Sequence, residues 1–150
     1  MKKAYLAAAA LAAALALPGL PAQAQTNEIT IGITITTTGP AAALGIPERN
    51  SLDFVPKEIA GVPLKVTVLD DGGDPTNATT NARRFVTESK ADVIMGSSTT
   101  PPTIAVSNVA NEAGIPHIGL APFPITPERA KWSVDMPQPV PIMARCCTST

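Results

Sequence analysis

Five consecutive small or hydroxyl-bearing residues, Gly96-Ser97-Ser98-Thr99-Thr100, stand just before Pro101 and Pro102, and the chain's single histidine, His117, lies downstream. Serine with histidine is the raw material of nucleophilic hydrolysis, in which the imidazole takes the hydroxyl proton. Ser97 or Ser98 with His117 would make a Ser/His hydrolase. The cluster lacks the second glycine of a nucleophile elbow, however, and His117 sits inside an apolar run. A plain alternative is that Ser97 to Thr100 cap a helix, as Ser/Thr clusters commonly do.

Three further groups have a chemistry to weigh. Asp70, Asp71 and Asp74 suggest a calcium loop, but Asp-Asp-Gly-Gly-Asp does not place oxygens at alternate positions and no Glu closes it, so no metal is expected. The Gly-x-Gly-x-x-Gly and phosphate-loop patterns are both absent, so nucleotide cofactors have no seat and none is expected. Cys146 and Cys147 are adjacent, which fixes their Cα atoms about 3.8 Å apart, below the roughly 4.4 to 6.8 Å of ordinary disulfides. Arg83 and Arg84 read as a solvated helix face.

The elements that must position these residues alternate. Glu28 to Thr36 is β-branched and nearly free of charge, as a strand buried on both faces should be. Ala41 to Ile59 carries Leu44, Leu52, Val55 and Ile59 at helical spacings, with Pro47 and Pro56 predicting a kink or split. Leu64 to Leu69 is a second strand, and Asp74-Pro75 is an N-cap with proline at the first position of a helix running from Thr76 to Ser89. Ala91 to Met95 is a third strand, Thr103 to Glu112 a third helix closed by Gly114, and Pro116 to Leu120 a fourth strand. This order predicts an α/β fold with a doubly wound parallel sheet. Ligands of such sheets sit beyond the carboxyl ends of the strands, here the loops at Thr37 to Leu44, Gly96 to Thr100 and Ala121 to Pro124.

The chain has 150 residues, 45% apolar and 15% charged, with eleven basic side chains against twelve acidic, so a second full domain and a nucleic-acid partner are both excluded. Its start reads as an address. Lys2 and Lys3 precede an apolar run from Ala4 to Leu17, and Pro18, Gly19 and Pro21 lead to Ala22-Gln23-Ala24, a secretory signal cleaved after Ala24. That run is 14 residues, whereas about 20 are needed to span a bilayer. The style is that of a Gram-negative exporter and places the mature chain in the periplasm.

Four stretches taken in order, TGPAAALGIPERN, DDGGDPTNATTNARRFV, ADVIMGSSTTPP and above all VANEAGIPHIGLAP, resemble the leucine-binding family. These are the periplasmic substrate-binding proteins of ABC importers for branched-chain amino acids and related compounds, with the type I binding-protein fold. The resemblance runs from about Glu28 to Met143. It implies two α/β lobes closing about a hinge, of which residues 25–144 would be part of the N-terminal lobe. Past Met143 the patterning stops, and residues 145–150 read as an unrelated tail, for which a frameshift or premature stop is the simplest account.

The resemblance also implies a site. The family's ligand carboxylate is met after the third strand, at the positions of Thr99 and Thr100, where hydroxyls, N–H groups and the positive end of a helix favour an anion without a buried Arg. After the fourth strand the family offers a backbone carbonyl and then a hydroxyl, at the positions of Ala121 and Phe123. Ala121 can serve through its backbone, whereas Phe123 cannot replace a hydroxyl and suggests an apolar or aromatic ligand part stacking there. Leu44 and Gly45 match a wall of the site. The expected protein is therefore a binding module and not an enzyme, taking a small amino acid or carboxylate and presenting it to an ABC permease in the inner membrane. The rivals are the Ser/His hydrolase, placed in the periplasm, and an inactive pseudogene product.

Overall fold

A computed structural model describes residues 28–137. The secretory signal at residues 1–24, Cys146, Cys147 and the tail at residues 145–150 lie outside the described residues.

The first strand, β1 (Ile29–Ile35), is flanked in the sheet by β3 (Val62–Asp70) on one side and β4 (Val93–Met95) on the other. Beyond β4 come β5 (His117–Gly119) and β6 (Ser133–Asp135), and beyond β3 comes β2 (Glu58–Ile59), giving the order β2-β3-β1-β4-β5-β6. All neighbours run parallel except β2 and β3, which form a hairpin. Residue pairing runs from Ile29 with Leu64 to Ile35 with Asp70, and from Ile31 with Val93 to Ile33 with Met95.

Three helices connect these strands: α1 (Ala42–Ser51), α2 (Pro75–Thr87) and α3 (Thr100–Ala113). The chain leaves β1 toward β3 and then doubles back past it to β4, so right-handed crossovers place α1 on one face of the sheet and α2 and α3 on the other. α2 packs on α3 through a core of Ala78, Ala82, Phe85, Ile94, Val106, Val109 and Ala110. Alanines let the helices approach closely, and Phe85 fills the space beneath β1. Gly32 makes that possible, because a Cβ there would lie 2.4 Å from Phe85 Cγ.

The expected doubly wound parallel sheet is present, and so are the capping signals. Asp74 caps α2 by accepting from the N–H groups of Thr76 and Asn77 at 2.7 and 3.0 Å, with Pro75 as the first helical residue. Gly114 ends α3 in the left-handed conformation at φ 68°.

The segment Ala41 to Ile59, expected as a kinked or split helix, is split: α1 runs through Pro47, gives way to a 3-10 turn at Leu52–Phe54, and the chain is extended at Val55. Pro56 accounts for this, since the residue before a proline is pushed out of the helical region. Leu44 and Ile59, expected on a buried stripe, are exposed. Residues 58–59 instead pair with β3 across a two-residue turn in which Ala60 and Gly61 both have positive φ. Such a turn is usually signalled by Asn-Gly, so Ala-Gly hid it. Finally, α3 begins at Thr100, ahead of the expected Thr103.

Candidate functional site at the strand ends

The parallel strands deliver four loops to one end of the sheet, at its switch point between β1 and β4. These are residues 36–41 after β1, 71–74 after β3, 96–99 after β4 and 120–124 after β5. Polar contacts join all four.

The three aspartates do three different jobs. Asp74 is the α2 cap. Asp70, exposed, ties the β1 loop to the β3 loop: it accepts from the N–H of Thr37 at 2.8 Å, the hydroxyl of Thr38 and the N–H of Gly72 at 3.1 Å. Burial pushes its carboxyl up, but these hydrogen bonds outweigh it and bring the pKa down to about 2. Asp71 is fully buried. Its oxygens accept from Thr34 Oγ1 at 3.0 Å, Ser97 Oγ at 2.6 Å, Thr36 Oγ1 at 2.7 Å and the N–H of Gly73 at 2.9 Å. Four donors on a carboxylate replace the water it has lost.

The β4 loop is gripped along its length. Ser97 donates its hydroxyl to Asp71 and its N–H to Thr103 Oγ1 at 3.0 Å. Ser98 Oγ accepts from the N–H of Thr36 at 3.0 Å and donates to Glu48 of α1. Gly45 lets α1 come so near, since a Cβ there would lie 2.0 Å from the Thr36 carbonyl oxygen. Thr100 Oγ1 donates to the Pro122 carbonyl at 2.7 Å, fastening this loop to the one after β5.

Thr99 is different. It occupies the N-cap position of α3, yet its side chain caps nothing, and its buried Oγ1 has no hydrogen-bond partner. In the first turn of α3, Pro101 and Pro102 carry no N–H, so Thr100 supplies that turn's leading backbone donor.

His117 is buried and holds two groups. Its Nε2 donates to the Gly96 carbonyl at 2.7 Å, and its Nδ1 then accepts from Ser133 Oγ at 3.3 Å, which lies 3.0 Å from Ser107 Oγ. Neither ring nitrogen addresses Ser97 or Ser98, whose protons go to carboxylates, so the Ser/His hydrolase arrangement is not formed. The phenyl ring of Phe123 lies 5.7 Å from the imidazole, tilted by 58°, and fits over Gly119, where a Cβ would come within 2.4 Å of it. Phe123 is 7% exposed and Ala121 4%. Leu44, in the first turn of α1, is 54% exposed.

The structure thus brings Thr99, Thr100, Ala121 and Phe123 together through the Thr100–Pro122 bond, with Leu44 set apart on α1. Glu48, Thr36, Thr103 and Ser133 were not singled out from the sequence. No local motif marks them: Glu48, Thr36 and Ser133 find partners far along the chain, and Thr103 reaches back only to Ser97 and Thr99 from inside a helix.

Burial holds the His117 pKa below its ordinary value, with the Gly96 hydrogen bond opposing in part. The neutral ring is therefore the folded form, and its contribution to stability is complete above pH ~6.5 and is lost as pH falls through that value. Glu48 is shifted upward, mainly by burial, and acts in the opposite direction. Comparing wild type with His117→Gln separates the two. Urea midpoints at pH 7.5 and 5.5 should fall more in wild type than in the variant; equal falls would contradict a buried neutral His117.

The sequence model described as periplasmic binding protein matches residues 28–135. The chain is 85% identical to the solved Rhodopseudomonas palustris (strain CGA009) protein Rp1789, covering 79% of this chain and 33% of that one, with a TM-score of 0.77. It is 26% identical to a solute binding protein of an ABC transporter from Rhodopseudomonas palustris BisB5, solved in complex with 3,4-dihydroxy benzoic acid, over 73% of this chain and 31% of that one, TM-score 0.66. A leucine binding protein from Thermotoga maritima shares the fold at 16% identity and TM-score 0.67, over 79% of this chain and 35% of that one. None of the curated proteins compared with the chain matches it. The chain spans about a third of the length of the solved structures it matches. With the family match covering the whole sheet and the loops at its strand ends, the chain belongs to the periplasmic binding proteins of type I fold, as its resemblance to the leucine-binding family implied.

Proposed function

We propose that this chain supplies one lobe of a periplasmic solute-binding protein that captures a small organic carboxylate and hands it to an ABC permease. The carrying observation is the buried, unpartnered Thr99 hydroxyl beside the start of α3, a group that a ligand oxygen would satisfy. Thr99 and Thr100 meet the carboxylate in this reading, the Ala121 backbone adds a polar contact, Leu44 forms an apolar wall, and Phe123, its ring packed on Gly119 beside His117, backs the site. Export with cleavage after Ala24 brings the lobe to its ligand, in keeping with its family.

An aromatic or otherwise apolar acid suits this surface better than an amino acid. Residues 36–44, 96–100 and 120–124 hold no acidic side chain to meet an ammonium group, and the carboxylates of Glu48, Asp70, Asp71 and Asp74 already accept from protein donors. Position 123, where the family resemblance implies a hydroxyl, bears a phenyl ring. The neighbour solved with 3,4-dihydroxy benzoic acid supports the same class.

The test is to place residues 28–135 in the corresponding segment of Rp1789 and titrate the two-lobed product calorimetrically with 3,4-dihydroxybenzoate and with leucine. The benzoate is expected to bind and leucine to bind more weakly. Thr99→Ala should cost about 1–3 kcal/mol, the range for losing a hydrogen bond to a charged group. Leucine binding without benzoate binding would reverse the ligand class, and unchanged affinity in both Thr99→Ala and Thr100→Ala would remove these residues from the site.

A further inference from the structure

Three ionisable side chains converge on the β4 loop, each on a successive residue: His117 on the Gly96 carbonyl, Asp71 on the Ser97 hydroxyl and Glu48 on the Ser98 hydroxyl. Asp71 and His117 belong to the sheet layer and are fully buried. Glu48 comes from the opposite direction, on α1, and only the close approach at Gly45 lets it arrive. Among the described residues, none of the ion pairs includes Glu48 or Asp71, so no cation explains why a helix carboxylate is turned inward.

We propose that Glu48 is a positioning residue for the ligand loop: by accepting the Ser98 proton it fixes that hydroxyl as the acceptor of the Thr36 N–H and so holds Thr99 and Thr100 against the end of β1. The proposal rests on Thr99 and Thr100 being ligand contacts. A hydroxyl has one proton and can rotate to suit its surroundings. With the proton committed to Glu48, a lone pair of Ser98 Oγ remains aimed at Thr36 N, 3.0 Å away. Without Glu48 the hydroxyl is free to turn, and the link from the β4 loop to β1 and α1 loosens. A second consequence is selective. Ser97 and Ser98 both spend their protons on protein carboxylates, so neither can donate to a bound anion, and the task passes to the Thr99 hydroxyl and the Thr100 N–H, the Thr100 hydroxyl being spent on the Pro122 carbonyl.

Glu48 is also titratable where it matters. Burial raises its pKa above the ordinary value, Asp71 adds to the rise, and the Ser98 hydrogen bond opposes it. Asp71 is the charged group that bears on it from the β3 loop, and the β4 loop brings no charge of its own. Once protonated, the carboxyl keeps a carbonyl acceptor but loses the charge that strengthens the Ser98 hydrogen bond, so acid should weaken the hold on the loop. Gln at this position is the uncharged counterpart: it keeps an acceptor and cannot titrate.

Amide exchange of the chain itself, read by NMR at Thr36, Ser98, Thr99 and Thr100 between pH 7.5 and 4.5, tests this without a ligand. Glu48→Ala should speed Thr36 exchange about tenfold over its pH-corrected wild-type rate, and Glu48→Gln should not. Acid should lower Thr36 protection in wild type toward the Glu48→Gln level, while Glu48→Gln itself should show no such response. Should Glu48→Ala fail to fold, Ser98→Ala breaks the same link from the other side and should reproduce the faster exchange. Equal protection of Thr36 in wild type and in whichever of Glu48→Ala and Ser98→Ala folds, a loss of protection in Glu48→Gln as large as in the alanine variant, or an acid response that persists in Glu48→Gln would each overturn the proposal. In the Rp1789 graft, 3,4-dihydroxybenzoate affinity should fall about tenfold in Glu48→Ala and recover in Glu48→Gln. Unchanged affinity beside a loosened loop would instead overturn the ligand role of Thr99 and Thr100.

Discussion

Asp71→Ala is expected to lower the stability of the chain by about 3–5 kcal/mol, because it strands several buried donors at once, each worth roughly 1–3 kcal/mol when left unpaired. The hydroxyls of Thr34, Thr36 and Ser97 would all lose their acceptor, in a layer from which water is excluded. Asn81 would feel the loss as well, since its side-chain amide donates to Thr34 Oγ1 at 3.2 Å and to the Asp70 carbonyl at 3.0 Å. The effect should spread to the loops, because Asp71 joins β1, the β3 loop and the β4 loop at one point. Urea denaturation followed by circular dichroism measures it. A loss under about 1 kcal/mol would mean that water or a rearranged side chain takes over the carboxylate's bonds, and that the network is weaker than its geometry indicates.

Phe85→Ala should cost a comparable amount, about 3–5 kcal/mol, for removing a fully buried ring and leaving a cavity. Its partner across the contact gives a sharper check. Gly32→Ala puts a methyl where the Phe85 ring stands, an overpacking change worth about 1–3 kcal/mol. With Phe85→Ala already made, that methyl has room, so the double variant should be more stable than the sum of the single losses by at least about 1 kcal/mol. Strict additivity in the urea midpoints would show that β1 and α2 do not press on one another at this point.

How far the sequence carried can be judged from particular residues. Ile29–Ile35 declared itself by an uncharged β-branched run, and Asp74-Pro75 and Gly114 declared the ends of α2 and α3 through the chemistry of their own side chains or backbone. These are local signals. The β2–β3 hairpin was hidden by an alanine in a conformation that alanine seldom takes, and β6 by being three residues long with no helix before it. At the strand ends, Thr99 and Thr100 were reached through a family resemblance, which transfers position but not geometry. That Ser97 and Ser98 face carboxylates, and that the Phe123 ring lies on Gly119 beside His117, depends on contacts between residues far apart in the chain. Glu48 lies 50 positions from Ser98. No periodicity within α1 could have marked it, because its neighbours Pro47 and Arg49 are exposed while it turns inward.

The two prolines opening α3 bear on which anions the site can refuse. A helix start with all its leading N–H groups free is a general seat for phosphate and sulfate, which present oxygens in several directions and are satisfied by a ring of backbone donors. Pro101 and Pro102 remove two donors from that ring and leave the Thr100 N–H with the Thr99 hydroxyl. A planar carboxylate, with two oxygens on one edge, can be served by so few groups, whereas a tetrahedral dianion would be left with unmatched charge away from water. In the proposed site, inorganic oxyanions would thereby be turned away without a repelling charge, and the lobe would stay empty for its own solute.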